Sequence, residues 1–336
     1  MDTKPATSSL PLFTRFKIFL ARTILNASLE KDGTIDKRFL NLIDFKTAAN
    51  STPTDGVKSY DVSIDPCWFR VFVPDVTADK LPVIVYYHGG GFALYGPDST
   101  PFDGLCRRFA SMIPAVVVSA SFRLTPDHRY PSQYEDGINV LKFLDDEKNR
   151  KNLPEKADLQ SFFVVGDSSG GNMAHHVCIR ASHIKFKQLK VIGLVALQPF
   201  FGGEERTASE LSKENERALT LKQTDYFWNM FKPLSALHDK QWDRDNKVIN
   251  VSGPMAEDIS GLDFPTTLVV VGGRDILQDW QRKYYKWLKK SGKEAFLEEY
   301  EYMFHAFYTF AELDESTHVI SVVKNFVHKQ MNIFPK

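Results

Sequence analysis

The clearest chemical potential lies in "VVGDSSGGN", Val164 to Asn172, where two adjacent serines sit between glycines at the end of an apolar run. Gly166-Asp167-Ser168-Ser169-Gly170 fits the pattern G-x-S-x-G, in a setting that predicts a strand, a sharp turn and a helix. Such a turn strains the central backbone and lifts its hydroxyl to the N-terminus of the next helix, exposed for attack on an electrophilic carbon. Glycines are needed on both sides because a Cβ there would collide with the neighbouring strand or helix. By the motif, Ser168 is the nucleophile. An idle strand-to-helix turn matches the same letters, so the assignment depends on what accompanies it.

Three further elements do. "HGGGF", His88 to Phe92, directly follows "LPVIVYY". Its glycines let backbone N–H groups turn toward one point, and those of Gly90 and Gly91, joined by Ser169, would form an oxyanion hole. An acid and a base are then expected in the order Ser, Asp, His. "VVVGGRDILQDW" sets Asp275 just past one strand, and "EYEYMFHAFYTF" sets His305 just past the next. His305 would take the serine proton while Asp275 fixes its tautomer and stabilises the imidazolium. Asp279 is the competing acid, but it falls inside a predicted helix and is expected to face solvent.

The other histidines carry less. His175 and His176 are adjacent on the helix after Ser168, lack HExxH spacing, and read as packing or surface residues rather than zinc ligands. His88 is expected to brace the glycine loop, and His128, in "FRLTPDHRYP", to tie down a proline turn. Phe92, Trp228, Phe231 and Phe307 are candidates for lining an acyl or alcohol pocket, with burial in the core as the competing reading. The chemistry so read needs neither metal nor cofactor.

These residues must be positioned by a sheet. "SYDVSID" and "CWFRVFV" read as an antiparallel pair, followed by "LPVIVYY", "AVVVSASF", "SFFVVGD", "VIGLVALQP", "TTLVVVGG" and "AFLEEYEY" as strands. Their continuous Val/Ile/Leu character suits strands covered on both faces. Helical patterns near 102–112, 132–147, 170–183, 279–291 and 315–330 alternate with them, predicting one α/β domain over 1–336 with a doubly wound, mostly parallel sheet of about eight strands. Residues 1–45, an amphipathic helical pattern, the turn "KDGTID" and another helix, and residues 202–260, charged and aromatic, interrupt the alternation. Both are expected to be cap elements over the carboxyl ends of the strands, where ligands bind in such sheets.

Composition narrows the classes. The 336 residues are 43% hydrophobic and 25% charged, with 42 basic against 42 acidic side chains, so no electrostatic case exists for a nucleic-acid partner. No apolar run reaches the roughly 20 residues of a membrane span, and Arg15, Lys17 and Arg22 break the apolar N-terminal stretch, so no signal peptide is expected. Cys67, Cys106 and Cys178 are widely spaced and odd in number, which fits a reducing compartment, the cytoplasm or alternatively the nucleus, rather than a disulfide framework.

The chain resembles the plant carboxylesterases of the hormone-sensitive-lipase-like class within the α/β-hydrolases, on "HGGGFAL", "FRLTPDHRYP", "GDSSGGN", "QPFFGGEERT", "VVVGGRDILQDWQ" and "MFHAFYTF". That resemblance implies Ser168, Asp275 and His305 as a triad, Gly90, Gly91 and Ser169 as oxyanion donors, and turnover of a small or medium hydrophobic ester through an acyl-enzyme. The sequence departs from the class's usual Y-R-L-A-P-E-H at Phe122, Thr125 and Asp127. The N-terminal arm is also similar to the gibberellin receptor, a hormone-binding relative that lacks the triad histidine and uses its arm as a lid. No protein partner is implied outside such a receptor-like role. Plant relatives also use the scaffold for elimination or cyclisation, so a lyase, or an esterase whose product decarboxylates, stays open.

Overall fold

The computed structural model describes residues 10–333 apart from 31–32, 41, 43, 213–217 and 237–241. Residues 1–9 of the arm, the first two residues of "KDGTID" and parts of the 202–260 insertion therefore lie outside the described residues.

Eight strands form one sheet: β1 (Val57–Ile64), β2 (Cys67–Pro74), β3 (Leu81–Tyr87), β4 (Val116–Ala120), β5 (Ala157–Asp167), β6 (Val191–Leu197), β7 (Thr266–Gly272) and β8 (Ala295–Tyr300). Their order is β1-β2-β4-β3-β5-β6-β7-β8. β1 and β2 pair antiparallel, β2 meets β4 antiparallel, and every pairing from β4 to β8 is parallel. The β-branched runs explain the middle strands: all seven residues of β3 and all five of β4 are buried, as strands covered on both faces require.

Helices α3 (Thr100–Met112) and α9 (Asp314–Ile333) cover one face, packing Phe102, Phe109, Val319 and Val323 against Ile84, Val117 and Val165. Helices α4 (Ser132–Asp145), α5 (Ser169–Ser182) and α8 (Gln278–Lys290) cover the other, where Tyr134, Val177 and Leu288 share a core with Val85 and Val164. Alternate residues of a strand point to opposite faces, so one run such as Ile84-Val85 feeds both cores.

The chain leaves β3 through α3 to β4, then crosses back over β3 to lay down β5 on its other side. The winding direction thus reverses between β3 and β5, the kind of switch point beyond whose carboxyl ends doubly wound sheets bind ligands. The loops leaving β3 and β5 there carry His88–Phe92 and Ser168. Above this edge lie α6 (Ala208–Leu211) and α7 (Leu221–Phe231), the latter started by a Thr220–Gln223 capping box. At the N-terminus, α1 (Leu12–Ser28) is followed by a bridge between Leu29 and Ile35 and the single turn α2 (Lys37–Leu40).

Candidate active site

Ser168 sits at φ +51°, ψ −119°, between the end of β5 and the first turn of α5. A non-glycine residue at positive φ is strained, and the surroundings enforce it here. Its N–H donates to the Leu197 carbonyl at 2.9 Å, and its carbonyl accepts from Gly171, Asn172 and Phe200 at 3.0, 3.1 and 2.8 Å. The turn is so tight that a Cβ on Gly166 would lie 2.1 Å from the Gly170 carbonyl oxygen, and one on Gly170 would lie 2.0 Å from that of Tyr87. Only glycine fits at either position.

From Ser168 a run of hydrogen bonds leads inward. Ser168 Oγ lies 2.9 Å from His305 Nε2, and His305 Nδ1 lies 2.7 Å from Asp275 Oδ2. An ionised carboxylate only accepts, so Nδ1 carries the proton and Nε2 is free to accept the Ser168 O–H. Burial pulls the imidazole pKa down, but the Asp275 charge and hydrogen bond and the more distant Asp167 outweigh it and leave it above its ordinary value. Asp275 is fully buried at the end of β7; its Oδ1 accepts from Leu277 N–H at 3.0 Å, and its Oδ2 also accepts from Gln281 Nε2 at 2.8 Å and Gln198 Nε2 at 3.1 Å. Gln198 does more: Nε2 also reaches the Phe304 carbonyl, and Oε1 takes the Ala306 N–H at 2.7 Å. One amide therefore grips the acid and both neighbours of the histidine.

The glycine loop lies against this turn. Among the described residues, no acceptor meets the N–H of Gly90, Gly91 or Ser169. That of Ser169 is one of the donors a helix N-terminus leaves open, carrying the positive end of the α5 dipole. Gly91, at φ +63°, is covered by α7: a Cβ there would meet the Phe227 ring at 2.3 Å. A serine next to a histidine-held base, beside unpaired N–H donors, can add to a carbonyl and hold the resulting oxyanion.

The remaining predicted residues divide. Phe92 stacks on Phe231 with centroids 4.3 Å apart and meets Trp228 at 6.1 Å, so these three share one aromatic cluster. Phe307 does not join them; it packs on Tyr300 at 4.9 Å in the opposite core, because the turn at Phe307–Thr309 directs it toward α9. Asp279 keeps a side chain 31% exposed on α8, and its Oδ2 accepts the Ser209 N–H at 2.9 Å, tying α8 to α6. His88 stacks on Phe122 at 4.4 Å and its Nδ1 meets the Gly89 carbonyl at 2.8 Å, while burial lowers its pKa to about 4. His175 Nδ1 meets the Tyr284 hydroxyl at 3.0 Å, and His176 stacks on Tyr134. For His128 the backbone makes the turn, its N–H donating to Leu124 and its carbonyl accepting from Gln133 at 2.6 Å. Gln198, Gln281 and the aspartate before Ser168 escaped the sequence reading. Only Asp167 carried a signal, as the second letter of the serine motif.

Residues 84–309 match the model of a family described by its α/β-hydrolase fold. Gibberellin receptor GID1C of Arabidopsis thaliana is 35% identical over 339 residues, spanning 96% of this chain and 95% of its own. Carboxylesterase 20 of the same plant is 32% identical over 287 residues, 81% of this chain and 85% of its own. The chain belongs to the hormone-sensitive-lipase-like class of the α/β-hydrolase family. Among solved structures, a Pyrobaculum calidifontis esterase superimposes with a TM-score of 0.70 at 26% identity, covering 95% of this chain and 98% of the other. This α/β-hydrolase is thus of esterase type. Its receptor likeness is broader than the arm alone, where the sequence motifs put it: it runs the length of the fold. No described helix is long and apolar enough to cross a membrane.

Proposed function

We propose that the protein is a serine carboxylesterase that hydrolyses small to medium hydrophobic esters through an acyl-enzyme. Ser168 Oγ attacks the ester carbonyl as its proton passes to His305 Nε2, and Asp275 stabilises the imidazolium. The tetrahedral oxyanion faces the N–H groups of Gly90, Gly91 and Ser169. Collapse expels the alcohol, protonated by His305, and water then repeats the sequence to release the acid. The observation that carries this reading is the 2.9 and 2.7 Å run from Ser168 through His305 to Asp275. We read residues 1–45 and 202–260 as a cap over the site. Support comes from α1, whose Asn26 accepts from Gln223 of α7 at 2.9 Å while Thr14 and Lys17 reach Glu312, seven residues past the histidine.

The test uses p-nitrophenyl acetate. Wild type should give a burst of one equivalent per chain, Ser168→Ala none, and an organophosphate should add one covalent group, on Ser168, by intact mass. Folded protein that takes no adduct overturns the assignment.

A hormone-binding role is the second reading, favoured by the 96% coverage of this chain in the receptor alignment. It predicts saturable gibberellin binding that survives Ser168→Ala, with no ester turnover in wild type.

A further inference from the structure

A buried carboxylate beside Ser168 has no part in the chemistry just described. Asp167 Oδ1 accepts from the Tyr86 hydroxyl at 2.5 Å and the Gly89 N–H at 2.7 Å, and its Oδ2 accepts from the Tyr308 hydroxyl at 3.1 Å. These partners come from three places: the end of β3, the glycine loop one residue before Gly90, and the loop three residues past His305. One side chain, adjacent to the proposed nucleophile, thereby ties together the loop that would hold the oxyanion and the loop that carries the base.

We propose that Asp167 is a positioning residue that locks the glycine loop and the histidine loop into one register around Ser168. Its significance for turnover rests on Ser168 being the nucleophile. The chemistry favours a carboxylate over other side chains. An ionised carboxylate offers about four acceptor sites and no donor, whereas an amide would present N–H groups to hydroxyls already donating. A run of three glycines has the most conformational freedom to lose, so a fixed hydrogen bond on Gly89 limits where the next two N–H groups can point.

Asp167 also acts through its charge. The titratable groups facing it are Tyr86 on β3, Cys106 on α3, Tyr308 and His305. Burial raises its carboxyl pKa to about 6, against the opposing hydrogen bonds from Tyr86, Tyr308 and Gly89 N–H and the attraction of His305. It is therefore ionised at neutral pH and favours the imidazolium.

The link can be read without activity. In protein labelled with ¹⁵N-glycine, the Gly89 amide resonance should titrate with a midpoint near 6. That titration should vanish in Asp167→Asn, and its midpoint should rise in Tyr308→Phe, which removes one donor from the charged form. In kinetics, Asp167→Ala should lower kcat about 100-fold, the cost of a misplaced oxyanion donor, with KM within about threefold. Asp167→Asn should keep kcat within about tenfold of wild type and move the acid limb to lower pH, because His305 loses a facing negative charge. A wild-type Gly89 amide indifferent to pH from about 4 to 8, or an Asp167→Asn enzyme with the wild-type acid limb, overturns the proposal. If Asp167→Ala does not fold, an unshifted midpoint in Tyr308→Phe does the same. If wild type shows no Ser168-dependent hydrolysis, the esterase reading fails, while the amide titration still decides the link between the loops.

Discussion

The proton on His305 Nδ1 governs how Ser168 can react. Held toward Asp275 at 2.7 Å, it leaves Nε2 as the basic atom that meets the hydroxyl, at 2.9 Å. Because the imidazole pKa is raised above its ordinary 6.5, the neutral, proton-accepting form is lost as pH falls through that raised value. The kcat/KM profile should accordingly have its acid limb above 6.5. Asp275→Asn, which removes the charge and favours the wrong tautomer, should move the limb down and cut kcat by about 10⁴-fold, measured as initial rates across pH. Asp167 gives a complementary prediction about stability. Its pKa rises from 3.8 to about 6 on folding, so its favourable contribution is complete below 3.8 and is lost as pH climbs through about 6. Holding the ionised form costs on the order of 3 kcal/mol by this arithmetic. The Tm of Asp167→Asn should therefore gain on wild type between pH of about 4 and 7. A constant difference across that range would mean the buried carboxylate is not under this load.

At the scale of elements, the site is an outcome of where strands end. β3, β5 and β7 finish on one edge, and the turns leaving them carry the glycine loop, Ser168 and Asp275, while His305 lies in the loop after β8. Much of this is legible in the sequence, because strands buried on both faces must be nearly continuous Val, Ile and Leu, and the residues that follow each run stand out. The polar supports are not legible. Gln198 and Gln281 grip Asp275 from a loop and a helix, and no spacing rule relates a glutamine to a carboxylate 77 or 6 residues away. Phe307 shows the same limit for aromatics, since its sequence neighbours do not say which core a 3₁₀ turn will aim it into. The clamp of α7 on the glycine loop is likewise a tertiary fact, and it can be tested. Gly91→Ala would drive a methyl into the Phe227 ring at a positive φ, overpacking worth about 1–3 kcal/mol. It should lower kcat by about 10²-fold or more through the displaced N–H, with a modest fall in Tm. Wild-type turnover in that variant would show that Gly91 does not bound the reacting centre.

At the scale of the whole molecule, the described part of the N-terminal arm is lightly held. Of α1, only Thr14, Ile18 and Ser28 are buried, and Phe13, Phe16 and Phe19 are each more than half exposed. Little apolar area anchors it. Its polar ties include the partly exposed Lys17–Glu312 pair, worth about 0–1 kcal/mol, the Thr14–Glu312 and Asn26–Gln223 bonds, and the Tyr226 hydroxyl, which meets the carbonyls of Glu30 and Thr34. The body is different: β3 and β5 lie in the middle of the sheet with cores on both sides. Opening of the arm should therefore cost far less than global unfolding, and it should happen without disturbing the sheet. Ser168 and His305 are only 7% and 8% exposed, so under the proposed function the arm's opening would be a route for an ester to reach them. In hydrogen exchange, α1 amides should exchange much faster than those of β3 and β5. Tyr226→Phe, which removes one hydroxyl shared by two carbonyls, should quicken exchange over residues 12–36 about fivefold, the effect of roughly 1 kcal/mol. The sheet should be unchanged. Where the arm gates entry, the same variant should raise kcat/KM for bulky esters more than for p-nitrophenyl acetate, which needs a smaller opening. If Tyr226→Phe instead speeds exchange equally in α1 and β5, the arm opens only when the whole domain does, and it gates nothing.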